Sequence, residues 1–493
     1  MEQLVPSPSI NVRKIIQVTS AEFTGTFFLA FFVCSSTISS SAAPYAIGIG
    51  LVSLIYTFAA ISGAQFNPAV TIGLLVTGNL SIYEGMYCIL SQCMGSLFAG
   101  IMSYALYANS WDDVGYPKVV SPDHRYQAFV SEIIVTFGLI WIILSIAKSD
   151  VLANNSFYGL AFGLYVSSGV LVVGGISGAC FNPAIAILTL LHGDYDDMWV
   201  FLVGPSLGAI AAGLLYNALP ALNQFHYLST RLLVEFIGSF FITWTVALTP
   251  NSQSFGGYLA VGFVTSSMAY HGRHISGGHF NPCISLAVYL RGIYEEPVLI
   301  KFREFALYLL AHILGAFSAA GIASYANNGI HQIAGPSVDT EYHTKFAATI
   351  SAAIFSFGFI ITVLHTATNS TIIKHDDYFG IAIGFMTTAC ALSVGDLGGG
   401  ILNPVTSVAL AVVKNRNVGD LWVYLIGDIS GTLAACVMWY VWWPSPEKVD
   451  HNNDLPYSRY FSNDEAMWAV VGNDSKASGQ YNTLHSPLMT DER

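Results

Sequence analysis

The sequence predicts an all-α polytopic membrane protein: two six-helix bundles in tandem, each with two re-entrant half-helices, roughly a dozen transmembrane helices in total. Three observations predict it. First, 54% of the 493 residues are hydrophobic and only 10% are charged, against about 25% charged in a soluble domain. Second, long stretches of the first half recur in the second. Third, four Asn-Pro boxes each open an apolar piece only half a span long. This composition excludes a soluble enzyme, a nucleic-acid binder and a disordered scaffold. The net charge of −12 is scattered through connectors and the last fifty residues, and no basic patch invites nucleic acid. The seven cysteines, Cys34, Cys88, Cys93, Cys180, Cys283, Cys390 and Cys436, are odd in number and lack CxxC spacing. Neither a disulfide framework nor a zinc site follows.

Apolar segments run at 20–42, 46–62, 82–107, 127–147, 157–175 and 198–219, then at 232–249, 257–271, 303–326, 346–367, 378–395 and 420–443. Each is about the length a bilayer crossing requires. The first follows Arg13 and Lys14 but has no convincing cleavage site, so it reads as a retained helix and not a signal peptide. Internal repetition sets the organisation. Ala21 to Phe28 (AEFTGTFF) recurs as Val234 to Phe241 (VEFIGSFF), and Ile61 to Ala69 (ISGAQFNPA) as Ile275 to Cys283 (ISGGHFNPC). Met198 to Gly208 is echoed by Leu421 to Gly431. The expected division is a segment 1–14, a first unit 15–221, a second unit 222–443 and a disordered acidic tail 444–493. Within unit one, ISGAQFNPA also matches ISGACFNPA at Ile176 to Ala184. The two copies are separated by an odd number of spans, so the half-units insert upside down relative to each other, as in channels and transporters. With the N-terminus inside, only Lys118, Arg125, Lys345, Lys414 and Arg416 fall outside, which agrees with the positive-inside bias. Both termini are then cytosolic, and so are the sequons at Asn79, Asn154, Asn369 and Asn473, none of which should be glycosylated.

The Asn-Pro boxes carry the function. Asn caps a helix N-terminus, and Pro suits the first helical position because its missing N–H would have been unpaired anyway. A half-helix that begins in mid-membrane aims its positive dipole end at whatever lies there. Irregular backbone at that depth survives only beside a cavity or buried within protein. Two such helices from inverted halves meet near the midplane, and each offers an Asn amide donor. Water in single file must turn its oxygens to those donors, which interrupts a proton wire, while the paired positive ends repel cations.

With its boxes Asn67-Pro68-Ala69, Asn182-Pro183-Ala184, Asn281-Pro282-Cys283 and Asn403-Pro404-Val405, the chain resembles the aquaporins, or major intrinsic proteins. Glu22, Gly25 and Thr26, Ser91 to Gly95, and Trp199 with Gly204-Pro205 add to the likeness. The resemblance implies two fused aquaporin-like units, each with a passive pore for water or small neutral solutes. It implies no cofactor, no metal and no enzymatic activity. It further implies a membrane-embedded homo-oligomer, here a dimer supplying four barrels, in the plasma membrane or in vacuolar or other endomembranes. By the same resemblance the outer constriction of unit one falls on Ile47, Val170, Ala179 and Ile185, and that of unit two on Val261, Ala391, Gly400 and Thr406. Many aquaporins place an aromatic, a His, a small residue and an Arg there; neither unit has the Arg. Such an opening is wider and aliphatic, able to admit small neutral solutes and slow for water.

Glu22, Glu132 and Glu235 are carboxylates within apolar spans, a placement that usually marks function. The resemblance makes them anchors of the re-entrant loops. Unit two has Ala352 where unit one has Glu132, and Asp428 where unit one has Pro205. Cys283 and Val405 are also bulkier than Ala at the tips of the half-helices, where overpacking is costly. The expectation is that unit one conducts and unit two conducts poorly or passes a different solute. His271, Arg273, His274 and His279 read as a polar lining of the inner vestibule. Cys180 and Cys283 stand beside the boxes as candidate thiol-reactive positions, and Tyr481 to Leu484 fits a tyrosine-based sorting pattern. Two other readings stay open at this point: a non-conducting protein that kept the fold for scaffolding or regulation, and a twelve-span secondary transporter.

Overall fold

The computed structural model describes residues 12–37, 41–107, 110–147, 149, 152, 155–219, 227–249, 255–292, 300–338, 344–368, 377–398 and 400–442. The tail from 444, the pattern at 481–484 and the sequons at Asn154, Asn369 and Asn473 lie outside these residues. Unit one comprises α1 (Val12–Cys34), α2 (Ala43–Ser62), α3 (Pro68–Val76), α4 (Ile82–Tyr107), α5 (Arg125–Ala147), α6 (Tyr158–Ser177), α7 (Pro183–Ala186), α8 (Leu188–His192) and α9 (Met198–Ala218). Unit two comprises α10 (Leu228–Leu248), α11 (Phe255–Gly272), α12 (Pro282–Gly292), α13 (Phe302–Ala326), α14 (Lys345–Ala367), α15 (Phe379–Gly398), α16 (Pro404–Lys414) and α17 (Leu421–Trp442). Twelve of these helices have 18 residues or more, and ten of them are long and apolar enough to cross a bilayer. Polar α11, with Ser266, Ser267 and His271, is buried along most of its length and so need not suit lipid.

The first helix departs from its apolar run. It begins at Val12, eight residues earlier, and stops at Cys34 in a 3₁₀ turn. The early turns carry exposed Arg13, Lys14 and Ser20, polar positions that a hydropathy reading passes over. The end falls where the Ser-rich stretch begins at Ser35. There side-chain hydroxyls compete for backbone groups, and Ser35 already donates to the Phe31 carbonyl.

Each unit packs as a ring of long helices around its half-helices, with α1 against α4, α5 against α9 and α2 against α6, and then α10 against α13, α14 against α17 and α11 against α15. Tight crossings rest on glycine. A Cβ on Gly25 would sit 2.0 Å from the Phe66 ring, and one on Gly238 would sit 2.1 Å from the Phe280 ring. Each of these glycines lies one turn after a loop-anchoring glutamate, so the half-helix loop lies flat on α1 or α10.

The two units join through α5 and α6 of the first and α10, α11 and α13 of the second. The joint is specific. The Trp141 indole donates to His271 Nε2 at 2.9 Å, Ser168 Oγ donates to the Ala260 carbonyl at 2.9 Å, and Phe157 stacks on Tyr270 with ring centroids 4.4 Å apart. On one rim, the Ser156 amide donates to Asp377 of the other unit at 2.9 Å. This corrects the histidine reading. His271 is fully buried at the joint with unit one, and His274, also buried, does not border the cavity of unit two.

Candidate functional site: two cavities crossed by asparagine pairs

The loops before three of the half-helices are built alike. Glu22 Oε1 accepts from Ser62 Oγ at 2.6 Å and the Gln65 amide at 3.0 Å, and Oε2 accepts from the Phe66 amide at 2.7 Å and from Gln92 Nε2 at 2.9 Å. Glu132 accepts from Ser177 at 2.6 Å and from the Cys180 and Phe181 amides at 2.9 and 2.7 Å. Glu235 accepts from Ser276 at 2.6 Å and from the His279 and Phe280 amides at 2.9 and 2.6 Å, with His312 Nε2 2.7 Å away. All three carboxylates are fully buried. In each loop the anchored phenylalanine takes a positive φ: 51° at Phe66, 52° at Phe181 and 54° at Phe280. A left-handed non-glycine residue costs about 1–2 kcal/mol, and two amide-to-carboxylate bonds at that point offset it.

The fourth loop is built differently. Ala352 replaces Glu132, and Gly398 stands in the place of Ser177. Among the described residues no carboxylate accepts from the Ile401 and Leu402 amides, and Leu402 is not among the residues of positive φ. Asp428, fully buried on α17, accepts instead from Ser356 Oγ at 2.7 Å, while its second oxygen has no partner among the described residues.

The asparagines cross in both units. Asn67 Nδ2 donates to the Phe181 carbonyl and Asn182 Nδ2 to the Phe66 carbonyl, each at 2.9 Å. Asn281 Nδ2 donates to the Leu402 carbonyl at 2.8 Å and Asn403 Nδ2 to the Phe280 carbonyl at 3.0 Å. Each Asn Oδ1 caps its own half-helix, accepting from the amides of Ala69 (2.8 Å), Ala184 (2.9 Å), Cys283 (2.9 Å) and Val405 (3.3 Å). The longest cap belongs to the loop without a carboxylate. An amide NH₂ has two donors, so the crossed bond leaves one on each asparagine for the cavity it borders.

Each pair borders one cavity. In unit one Asn67 and Asn182 share a cavity of about 630 Å³ with Ile47, Val170, Ala179 and Ile185. In unit two Asn281 and Asn403 share a cavity of about 80 Å³ with Val261, Ala391, Gly400 and Thr406. The smaller volume has identifiable causes. Phe359 stands where unit one has Leu139, and Arg273 where it has Ala59, with the guanidinium 4.1 Å from the centre of the Phe379 ring. Arg273 and His279 both border this cavity, whereas the His279 ring turns to Ser285 on α12, with Nδ1 2.9 Å from its hydroxyl. The cysteines separate as well. Cys180 borders the first cavity, whereas Cys283 is buried outside the lining of the second. Nothing in the sequence marks Gln92, within the Ser91 to Gly95 stretch, or His312 as the braces of Glu22 and Glu235, or Thr243 as the neighbour of Thr406 at 2.8 Å. The serine of each Ile-Ser-Gly stretch was a signal for the loop anchors, because it recurs wherever a glutamate serves the loop.

Cavities crossed by asparagine caps, within helices whose outer faces are apolar, define a membrane channel. The family model described as major intrinsic protein matches the chain twice, over residues 9–216 and 224–439. The chain belongs to that family, as a tandem fusion of two copies, and is an integral multi-pass channel and not an enzyme. It is similar to Nodulin-26 of Glycine max, 32% identical over 226 residues that span 44% of this chain and 82% of the relative. It is also similar to Aquaporin NIP1-1 of Zea mays, 32% identical over 223 residues, 43% of this chain and 77% of the relative. Among solved structures, the aquaglyceroporin from Plasmodium falciparum aligns at 22% identity with a TM-score of 0.38, covering 42% of this chain and 96% of its own.

The loop geometry generates one prediction. Glu132→Gln turns an NH₂ toward amides that are themselves donors, so one buried donor loses its acceptor. The expected cost is about 1–3 kcal/mol, read as a lower melting temperature of the purified protein in detergent. A melting temperature equal to that of the unaltered protein would show that the loop does not depend on this carboxylate.

Proposed function

We propose that each unit is a separate passive pore, with unit one the wider conduit for small neutral solutes and unit two a narrower path. The observation that carries the reading is the crossed asparagine pair at the side of each cavity. The aliphatic ring Ile47, Val170, Ala179 and Ile185 would be the constriction of unit one, and Val261, Ala391, Gly400 and Thr406 that of unit two. Unit one offers passing solute a broad apolar opening with no arginine in it. Each asparagine's remaining N–H holds an oxygen at the crossing and breaks a proton chain there. Both termini are cytosolic in this reading, as the placement of Lys and Arg supports.

The test of this reading is solute-driven volume change of liposomes holding the purified protein, with water, glycerol, urea and ammonia as permeants. Asn67→Asp places a charge in the first crossing and is expected to remove most glycerol and urea flux, while Asn281→Asp leaves that flux largely intact. The reverse result would assign the wide path to unit two. Ile185→Arg restores a cation to the first constriction and narrows it, so glycerol flux should fall well below water flux. Unchanged passage of glycerol by that variant would remove Ile185 from the constriction.

The chain also has one joint of this kind made and its counterpart open. α10 and α11 repeat α1 and α2, and α14 and α15 repeat α5 and α6. The inner members bury what the outer members expose: Phe241 is 3% exposed and its repeat Phe28 45%, Phe263 8% and Ile49 60%, Leu164 8% and Phe385 51%. A second copy of the chain, turned about a two-fold axis, would place its α14 and α15 on α1 and α2 and bury both open faces. Such a homodimer has four barrels. Ile49→Arg is expected to convert the dimer to a monomer, read as the protein mass in detergent by light scattering. A monomeric unaltered protein in mild detergent and in nanodiscs would refute the pairing.

A further inference from the structure

We propose that His192 is a positioning residue of the first pore's mouth. As an imidazolium it ties the loop 114–118 to the end of the second half-helix, so unit one passes solute best in acid and less well as the pH rises through the histidine range. The proposal rests on the reading of unit one as a conducting pore. His192 ends α8, which follows directly on the half-helix capped by Asn182. Its ring is half-buried, with Nδ1 2.8 Å from the Leu188 carbonyl oxygen and Nε2 2.9 Å from the Val114 carbonyl oxygen. A neutral imidazole has one N–H, and only the imidazolium has two. Both partners here are acceptors, so neither neutral tautomer can make both bonds. A cation is also favoured at the C-terminal end of a helix.

The loop held by this ring forms part of the cavity wall. Tyr116 and Pro117 border the cavity of unit one together with Gly178 and Ala179. The Lys118 carbonyl oxygen lies so close to the re-entrant loop that a Cβ on Gly178 would be 2.5 Å from it. Tyr116 stacks on the His192 ring with centroids 3.8 Å apart, and its hydroxyl donates to Asp194 at 3.3 Å. Movement of Val114 therefore reaches the wall of the path within two residues.

Unit two makes the same tie with a different cation. The Gly115 amide donates to the Cys34 carbonyl at 2.8 Å and the Ala334 amide to the Ala247 carbonyl at 2.7 Å, and Cys34 and Ala247 are repeats of each other. The carbonyl one residue earlier meets a basic side chain in both units: Val114 meets His192, and Ile333 accepts from Lys414 Nζ at 2.7 Å. Lysine ordinarily stays charged to about pH 10, whereas histidine changes charge between about pH 5 and 8. On the elements packed against α8, the titratable and charged groups near the ring are Tyr104 of α4, whose ring stacks on Trp111, and Asp112 and Asp113 of the 3₁₀ turn Trp111–Asp113. The loop adds Tyr116 and Lys118, and Asp194 follows His192 in the chain. Histidine alone among these residue types ordinarily titrates near neutrality. Both ring bonds are made beside a cavity of about 630 Å³, so the doubly bonded ring belongs to the wide arrangement. Loss of the ring proton removes one tie and frees the loop to enter the path.

The experiment measures glycerol flux through the full chain in liposomes, with the same pH on both sides, at about pH 5.5 and about pH 8. Glycerol is neutral at both, so the permeant itself does not change. Flux is expected to be roughly threefold to tenfold lower at the higher pH. His192→Lys supplies the cation that unit two uses and should hold flux at the acid value at both pH values. His192→Phe keeps a ring against Tyr116 without any N–H and should give low flux at both. Hydrogen exchange of segment 114–118, followed by mass spectrometry, reads the tie directly. At the higher pH the unaltered protein should exchange faster there than His192→Lys, and at the lower pH the two should agree; comparing two proteins at one pH cancels the chemical exchange rate. An unchanged pH profile in either variant, greater flux at the higher pH, or equal exchange in the two proteins at about pH 8 would overturn the role of His192. Glycerol flux that Asn67→Asp leaves intact would instead overturn the reading of unit one as the conduit, and the effect of His192 on flux with it, whatever the exchange shows.

Discussion

A chain that turns back halfway through a bilayer uncovers backbone amides and carbonyls where no water can reach them, and the rest of this structure depends on how those groups are satisfied. Three buried carboxylates do most of it, each accepting two consecutive loop amides and a serine hydroxyl. The bonds settle more than hydrogen-bond accounting. They hold a phenylalanine in a left-handed conformation, which reverses the chain so that the next residue, asparagine, begins a helix. That asparagine can then do three things at once: cap its own helix, reach across to the opposite loop and keep one donor for the cavity. Remove the carboxylate and the loop loses the interaction that favours its reversal.

Unit two carries out that removal within the same molecule. Its second loop lacks both the glutamate and the serine, Leu402 replaces the phenylalanine, and the cap on Val405 is the longest of the four. The crossed asparagine bonds nonetheless close at 2.8 and 3.0 Å. The tip-to-tip contact therefore tolerates the loss of one anchor out of two. Its other loop keeps the full set of partners, with His312 beside Glu235 where Gln92 donates to Glu22 in unit one. The bulk of Cys283, expected from the sequence to crowd the tips, does not intrude on the cavity. The narrowing comes from Phe359 and Arg273 instead.

Much of this was legible in the sequence because the relevant patterns are local and repeated. The Asn-Pro boxes, the spans and the inverted relation between half-units follow from short strings and their spacing. The anchoring role of Glu22, Glu132 and Glu235 was reached through family resemblance, on residues that stand out only because charge is rare in apolar spans. What escaped were relations between distant residues of ordinary type. Nothing in the string marks Thr243 as the partner of Thr406, since both read as unremarkable helical threonines. His271 and His274 look like pore lining from their nearness to Asn281, yet His271, in the last turn of α11, and His274, in the turn just after it, meet Trp141 and Ser145 of the other unit. The early start of α1 was missed because its first turns are polar, and a helix end in contact with water carries no apolar signature.

The joint between units explains why the two pores can differ without the fold failing. Barrels in a symmetric assembly of identical chains must keep one surface compatible with itself, so every change in a helix facing a neighbour is made on all copies together. Here α5 and α6 meet α10 and α11 as unlike sequences, and the contacts are correspondingly unlike: an indole on an imidazole and a serine on a carbonyl. The cavity linings are likewise independent between halves, with Phe359 on α14 where α5 has Leu139 and Thr406 on α16 where α7 has Ile185. What remains common is what the bilayer imposes on both halves. Each must still cap two half-helices and cross two asparagines, because no substitution elsewhere can supply water to an interrupted backbone at that depth.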